Sequence, residues 1–96
     1  MTDSVEHSTE RAAADGFREA SEAVTAVWRK VLGRDDGFAD DDDFFDIGGH
    51  SMLALRVVKS LTLRLETDVP LELPFRETTF GGLVAEVARL RQSKGA

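Results

Sequence analysis

Residues 43–65 read DFFDIGGHSMLALRVVKSLTLRL. The second half of this stretch is helical by its spacing. Steps of about 100° per residue gather Ala54, Val57, Val58, Leu61 and Leu65 on one face, which predicts the face turned to a core. The opposite face carries Met52, Leu55, Arg56, Lys59 and Leu63. Three apolar side chains and two cations turned away from a core make an unusual outer surface. Ser51 stands just before this helix, where a capping residue belongs. In front of it, Gly48 and Gly49 mark a turn, and Phe44, Phe45 and Ile47 alternate with acids.

The rest of the chain arranges itself around this helix. Upstream, Phe17, Ala20, Val24, Val27, Trp28 and Val31 fall at spacings of three and four, the stripe of an amphipathic helix over 17–32. Gly33 fits its left-handed stop. Residues 34–50 then form a long loop, which stays ordered only if its apolar groups, Phe38 among them, anchor it. The run Asp40, Asp41, Asp42 and Asp43 repels itself and belongs at the surface. Downstream, Pro70 and Pro74 restrict an extended stretch, and Pro74 is placed to start one helical turn through Glu77. Thr79 caps a last helix whose stripe is Phe80, Leu83, Val84, Val87 and Leu90. Gly81 and Gly82 in its first turn allow a neighbour to approach closely. Residues 1–16 are polar and alanine-rich without apolar periodicity and read as a flexible tail, the alternative being that 9–15 extend the first helix. Residues 93–96 read as a polar C-terminal tail. The expected architecture is all-α, a small four-helix bundle of three main helices and one short helix with a long first loop. Trp28, Val27, Leu61, Val84 and Val87 are its expected centre.

Composition narrows the function. The 96 residues make one small domain, with 42% hydrophobic and 31% charged residues. Cysteine is absent, which excludes disulfides and thiolate metal sites. The two histidines, His7 and His50, are far apart, so no metal site is expected. A formal charge of −6 opposes binding to nucleic acid or to an anionic membrane. No apolar run reaches the roughly 20 residues that span a bilayer, and no signal-peptide pattern opens the chain. The expected location is the cytoplasm.

Two chemical readings of the central motif fail. A calcium loop starting at Asp43 places Gly48 correctly at the sixth position, but Phe45, Ile47 and Ala54 fill the third, fifth and twelfth. The run Gly49-His50-Ser51-Met52-Leu53 approaches G-x-S-x-G, but Leu53 replaces the closing glycine, no strand precedes it, and no acid and histidine follow. An unassisted hydroxyl is a weak nucleophile. What remains is a serine behind a Gly-Gly turn, at the helix end that favours a phosphate, or else a plain capping serine.

The stretch Asp43-Phe44-Phe45-Asp46-Ile47-Gly48-Gly49-His50-Ser51-Met52, followed by Ala54 and Leu55, resembles the D-x-F-F-x-x-G-G-H-S-L signature of carrier proteins. It is most similar to the peptidyl (aminoacyl) carrier, or thiolation, domain of nonribosomal peptide synthesis. The resemblance runs from the first helix to Arg91 and includes the L-P-F-R-E-T-T-F segment around Phe75. It implies an acyl-carrier-like fold over 17–92. It implies that Ser51 receives 4′-phosphopantetheine from coenzyme A through a phosphopantetheinyl transferase, which supplies the thiol this chain lacks. Asp46, Gly48, Gly49 and His50 match the attachment turn, and Met52, Leu55, Arg56 and Lys59 inherit the recognition face of the second helix. The implied partners are the transferase, an adenylation enzyme, and condensation or tailoring enzymes. The chain is then expected to be a carrier and not an enzyme, and a monomer; its start at Met1 and its short polar ends favour a free-standing carrier over an excised module. Met52 stands where Leu is commoner, and Thr78 where Pro is frequent. A polyketide or other acyl carrier is the alternative within the superfamily. A helical interaction module with Ser51 as a mere cap is the alternative outside it.

Overall fold

The computed structural model describes the backbone of residues 3–95 and the side chains of 16–92. Its helices are α1 (Asp3–Leu32), α2 (Ser51–Leu65), α3 (Leu73–Arg76) and α4 (Phe80–Gly95). The protein is thus the all-α bundle of three main helices and one short one, with a long first loop. Among the described residues the only extended pairing is an isolated antiparallel bridge between Asp43 and Thr79.

The apolar stripes meet as their spacing dictates. Ala54, Val57, Val58 and Leu61 of α2 are buried, together with Ala20, Ala23, Val24, Val27 and Trp28 of α1 and Phe80, Leu83, Val84, Val87 and Ala88 of α4. Leu65, Val31 and Leu90 pack half-buried against them. Trp28 is the hub. Its ring lies 5.1 Å from Phe38, 5.2 Å from Phe44 and 5.4 Å from Phe80, centroid to centroid. These contacts tie α1 and α4 to the loop. Trp28 Nε1–H is buried with no acceptor, a cost of about 1–3 kcal/mol that the buried ring offsets.

The first helix differs from its expected bounds. It begins at Asp3 rather than Phe17. Ala12, Ala13 and Ala14 favour helix strongly enough to carry the turn across Gly16, whose penalty is only about 1 kcal/mol. The side chains of 1–15 and 93–96 lie outside the described residues, while the backbone of α4 continues to Gly95. Phe17, expected on the core stripe, is 52% exposed. Arg91 closes that end of the bundle. It donates 2.8 Å to the Leu65 carbonyl and 2.7 Å to Glu19, and Phe17 lies beyond this closure. The short helix starts at Leu73, one residue before the expected Pro74. Leu73 is fully buried, and its carbonyl accepts the Glu77 amide at 2.8 Å.

The long loop is fastened to the start of α4 by its backbone. Phe44 N–H donates to Thr78 O at 2.8 Å, Phe80 N–H to Asp42 O at 2.8 Å, and Gly81 N–H to Asp40 O at 2.9 Å. A Cβ at Gly81 would sit 2.9 Å from that of Asp40, which is the close approach the paired glycines imply. The aspartate run is therefore not uniformly solvated. Asp40 and Asp41 are exposed, whereas Asp42 and Asp43 are half-buried and hold the loop together. Asp42 accepts the Ala39 amide at 2.9 Å. Asp43 accepts the Thr78 hydroxyl at 2.7 Å and the amides of Phe45 at 2.9 Å and Asp46 at 3.3 Å.

Candidate functional site

The site is the turn between this loop and α2. Its frame is set by Phe44, which is 2% exposed and packs on Trp28. The chain folds back over that ring. Asp46 and Ile47 donate to the Asp43 carbonyl at 3.1 Å, and Gly49 donates to the Phe44 carbonyl at 2.9 Å. A Cβ at Gly49 would run into the Phe44 ring and its carbonyl oxygen, so only glycine fits there. Gly48 has φ +114°, a conformation that side chains oppose. One glycine answers to space and the other to backbone angle.

Ser51 is not the cap of α2 but its first residue. His50 occupies the cap position in extended conformation, with φ −148° and ψ 176° and no side-chain cap bond. Its carbonyl accepts the Ala54 amide at 2.9 Å and starts the helical ladder. This placement leaves the serine side chain free of the capping role. No hydrogen bond of the described residues engages the exposed Ser51 hydroxyl. The amides of Ser51, Met52 and Leu53 have no intrahelical acceptor, as at any helix start, and the first turn holds no acid. An oxygen carrying a negative group is favoured there by the helix dipole.

The other residues singled out by sequence lie in the turn before this hydroxyl and along the helix after it. Asp46, Gly48 and His50 are exposed, and Gly49 is half-buried. Met52, Leu55, Arg56 and Lys59 all lie on the outer face of α2, with Met52 64% exposed. Leu63 is exposed on the same face, as its spacing requires. Sequence reasoning missed the continuation of this apolar surface beyond α2, where Leu71 and Phe75 are exposed as well. A groove of about 490 Å³ runs between Leu55, Leu63, Val69 and Leu71, and Phe75 stacks on Phe45 at 5.9 Å. It also missed the pairing of Asp43 with Thr78. The Thr78 hydroxyl, assisted by the amides of Phe45 and Asp46 and opposed by desolvation, holds the Asp43 carboxyl below the usual carboxylate range. The one signal was a hydroxyl-bearing residue, Thr78, just before the last helix. Among the described residues no group of three His, Cys, Asp or Glu could hold a metal ion, and no helix is long and apolar enough to cross a membrane.

The family described as a phosphopantetheine attachment site matches residues 22–87, most of the bundle and all of the turn. The chain belongs to this family. Its cofactor is phosphopantetheine, and it is a carrier protein of the thiolation type. The L-2-aminoadipate reductase of Saccharomyces cerevisiae is 33% identical over 81 residues, covering 83% of this chain and 6% of that protein. Tyrocidine synthase 3 of Brevibacillus parabrevis is 38% identical over 69 residues, covering 72% of this chain and 1% of that protein. The carrier thus spans only a small part of these curated relatives. Among solved structures, the complex of the phosphopantetheine transferase Sfp with coenzyme A and a peptidyl carrier protein matches with TM-score 0.65 and 30% identity, covering 73% of this carrier and 90% of that chain. BlmI, a type-II acyl carrier protein from Streptomyces verticillus, matches with TM-score 0.72 and 22% identity over 82% of this carrier and 94% of that chain, which shows the shared fold.

Proposed function

We propose that residues 17–92 are a carrier domain that holds 4′-phosphopantetheine on Ser51 and presents aminoacyl or peptidyl groups to partner enzymes of nonribosomal peptide synthesis. The observation that carries this reading is the Ser51 hydroxyl, exposed and unengaged at the first residue of α2, behind a turn that Gly48 and Gly49 make possible. The residues present fit the group. The serine oxygen is accessible, the free amides of the first turn favour a phosphodiester, and no carboxylate of that turn opposes it.

In the attachment reaction Ser51 Oγ bonds to the pantetheine-bearing phosphorus of coenzyme A. The pyrophosphate bond breaks, adenosine 3′,5′-bisphosphate leaves, and the hydroxyl proton passes to a base of the transferase. His50 is not required as that base, which suits a chain that carries rather than catalyses. The bound group supplies a terminal thiol on a flexible arm, where an acyl unit is held as a thioester. Asp46, Gly48, Gly49 and His50 shape the attachment turn. Met52, Leu55, Arg56 and Lys59 form the face that the transferase, an adenylation enzyme and condensation or tailoring enzymes approach. The setting of this work is the cytoplasm.

The test is the intact mass of the chain after incubation with coenzyme A and Sfp. The expected result is a gain of one phosphopantetheine, abolished in Ser51→Ala. No gain refutes the reading, and a gain that survives Ser51→Ala moves the site elsewhere. Loading of the modified chain with amino acids rather than with polyketide acyl donors identifies the cargo class.

A further inference from the structure

The chain is acidic overall, at −6, yet one of its faces is cationic. Helix α2 contains Arg56, Lys59 and Arg64 and no acid at all. Lys30, near the end of α1, joins them. It lines one shallow depression with Arg56, Lys59 and Ser60, and a second with Ser60, Leu63 and Arg64. No carboxylate lines either depression. All four cations are exposed. Among the described residues none of them enters an ion pair, whereas Arg34, Arg76, Arg89 and Arg91 do. Like charges on neighbouring helix turns repel one another, so this cluster costs the bundle stability without an internal partner to offset it. Acids lie around it, in the loop at Asp35, Asp36, Asp40 to Asp43 and Asp46, and just after α2 at Glu66 and Asp68. The two depressions between α1 and α2 are therefore a locally positive patch on an acidic chain.

We propose that Lys30, Arg56, Lys59 and Arg64 form one docking surface for a partner enzyme whose own face carries a cluster of carboxylates beside an apolar patch. The proposal rests on the reading of α2 as the recognition face and extends that face to Lys30 on α1 and to Arg64 near the end of α2. Charge complementarity names the partner's polar groups. The exposed Leu55 and Leu63, which border the same cations, name its apolar ones. A phosphate backbone offers no counterpart to those leucines and is repelled by the acidic loop. Charges at the rim of such a contact act mainly on the rate of encounter and fix orientation. They bring the partner down on α2, the helix that Ser51 opens. Their effect is screened by salt.

The first test titrates the unmodified chain with a short polyglutamate peptide and follows the NMR resonances of its cations. At low salt the four side chains are expected to shift together, ahead of Arg18 and Arg89, and the shifts are expected to vanish near ~500 mM salt, where the Debye length falls to a few ångströms. The double variant Lys30→Glu/Arg64→Glu is expected to weaken the peptide by about tenfold. Shifts spread evenly over all cations, or none, overturn the proposal. Shifts produced by heparin or by phosphatidylglycerol vesicles but not by polyglutamate assign the surface to nucleic acid or to lipid and overturn it too. The second test uses the adenylation enzyme that loads the chain. The double variant, converted to its phosphopantetheine form to completion, is expected to show a raised KM for the carrier at low salt, with kcat retained. An unchanged KM overturns the proposal. Complete conversion with unchanged KM leaves the assignment of Ser51 standing, so the two readings fail separately.

Discussion

Gly49→Ala tests the central packing of the turn. The added methyl would meet the Phe44 ring and carbonyl, and that ring is buried and packed on Trp28 at 5.2 Å, which leaves it little room to move. Overpacking a filled core costs about 1–3 kcal/mol. The bond from Gly49 N–H to the Phe44 carbonyl contributes about 1 kcal/mol more if it is lost. The expected destabilisation is about 2–4 kcal/mol, or a fall in Tm of about 10–25 °C for a domain of this size. Gly48→Ala is the control. Nothing lies within 4 Å of its added methyl, so its cost is the backbone conformation alone, about 1–2 kcal/mol. Urea unfolding followed by the fluorescence of Trp28 reads both. Phe44→Leu should recover part of the Gly49→Ala loss by making room, giving a coupling energy in the double-mutant cycle. A Gly49→Ala protein as stable as Gly48→Ala, or one that Phe44→Leu does not relieve, would refute the wedge.

Three further outcomes follow from particular contacts. Thr78→Val removes the hydroxyl that lowers the Asp43 carboxyl. A carboxyl depressed in the folded state stabilises above its unfolded value and loses that contribution as pH falls through the folded one, so the wild type is expected to lose Tm more steeply than Thr78→Val below about pH 4. NMR titration should show Asp43 moving up in the variant, and an unmoved carboxyl removes the bond from the account. Glu66, the one described non-glycine residue with positive φ, at 50°, ends α2 in the left-handed region, so Glu66→Gly is expected to raise stability by about 0.5–1 kcal/mol in urea unfolding. Met52→Ala and Leu55→Ala should leave stability within about 0.5 kcal/mol yet slow modification by the transferase, and unchanged rates would take these side chains out of the docking face.

Much of this was legible in the sequence because it is periodic. The two faces of α2 follow from a 3.6-residue repeat, and Ala54, Val57, Val58 and Leu61 are buried as it requires, while Met52, Leu55, Arg56 and Lys59 are outside. The expected centre, from Trp28 to Val87, is buried as well. Periodicity does not say where a bundle stops. Phe17 continues the stripe of α1, but Arg91, a residue from the far end of the chain, closes the core before it. The cap of α2 was misplaced by one residue for a local reason. Serine is the better capping type, but Gly48, free to take its positive φ, and the closely packed Gly49 deliver His50 in the extended conformation that a cap requires. The sequence shows Asp43 only as one of four adjacent carboxylates, because its partner, Thr78, is 35 residues away. A pairing of that range leaves no periodic trace.

Phe44 both fills the interior beside Trp28 and backs the turn that carries Ser51. Two jobs on one ring mean that the active turn and the hydrophobic centre cannot diverge independently. A bulkier residue in the turn demands a smaller one inside, and a smaller one inside loosens the serine's footing. Any attempt to graft this turn onto another helical scaffold must therefore transplant the ring and the indole beneath it along with the loop.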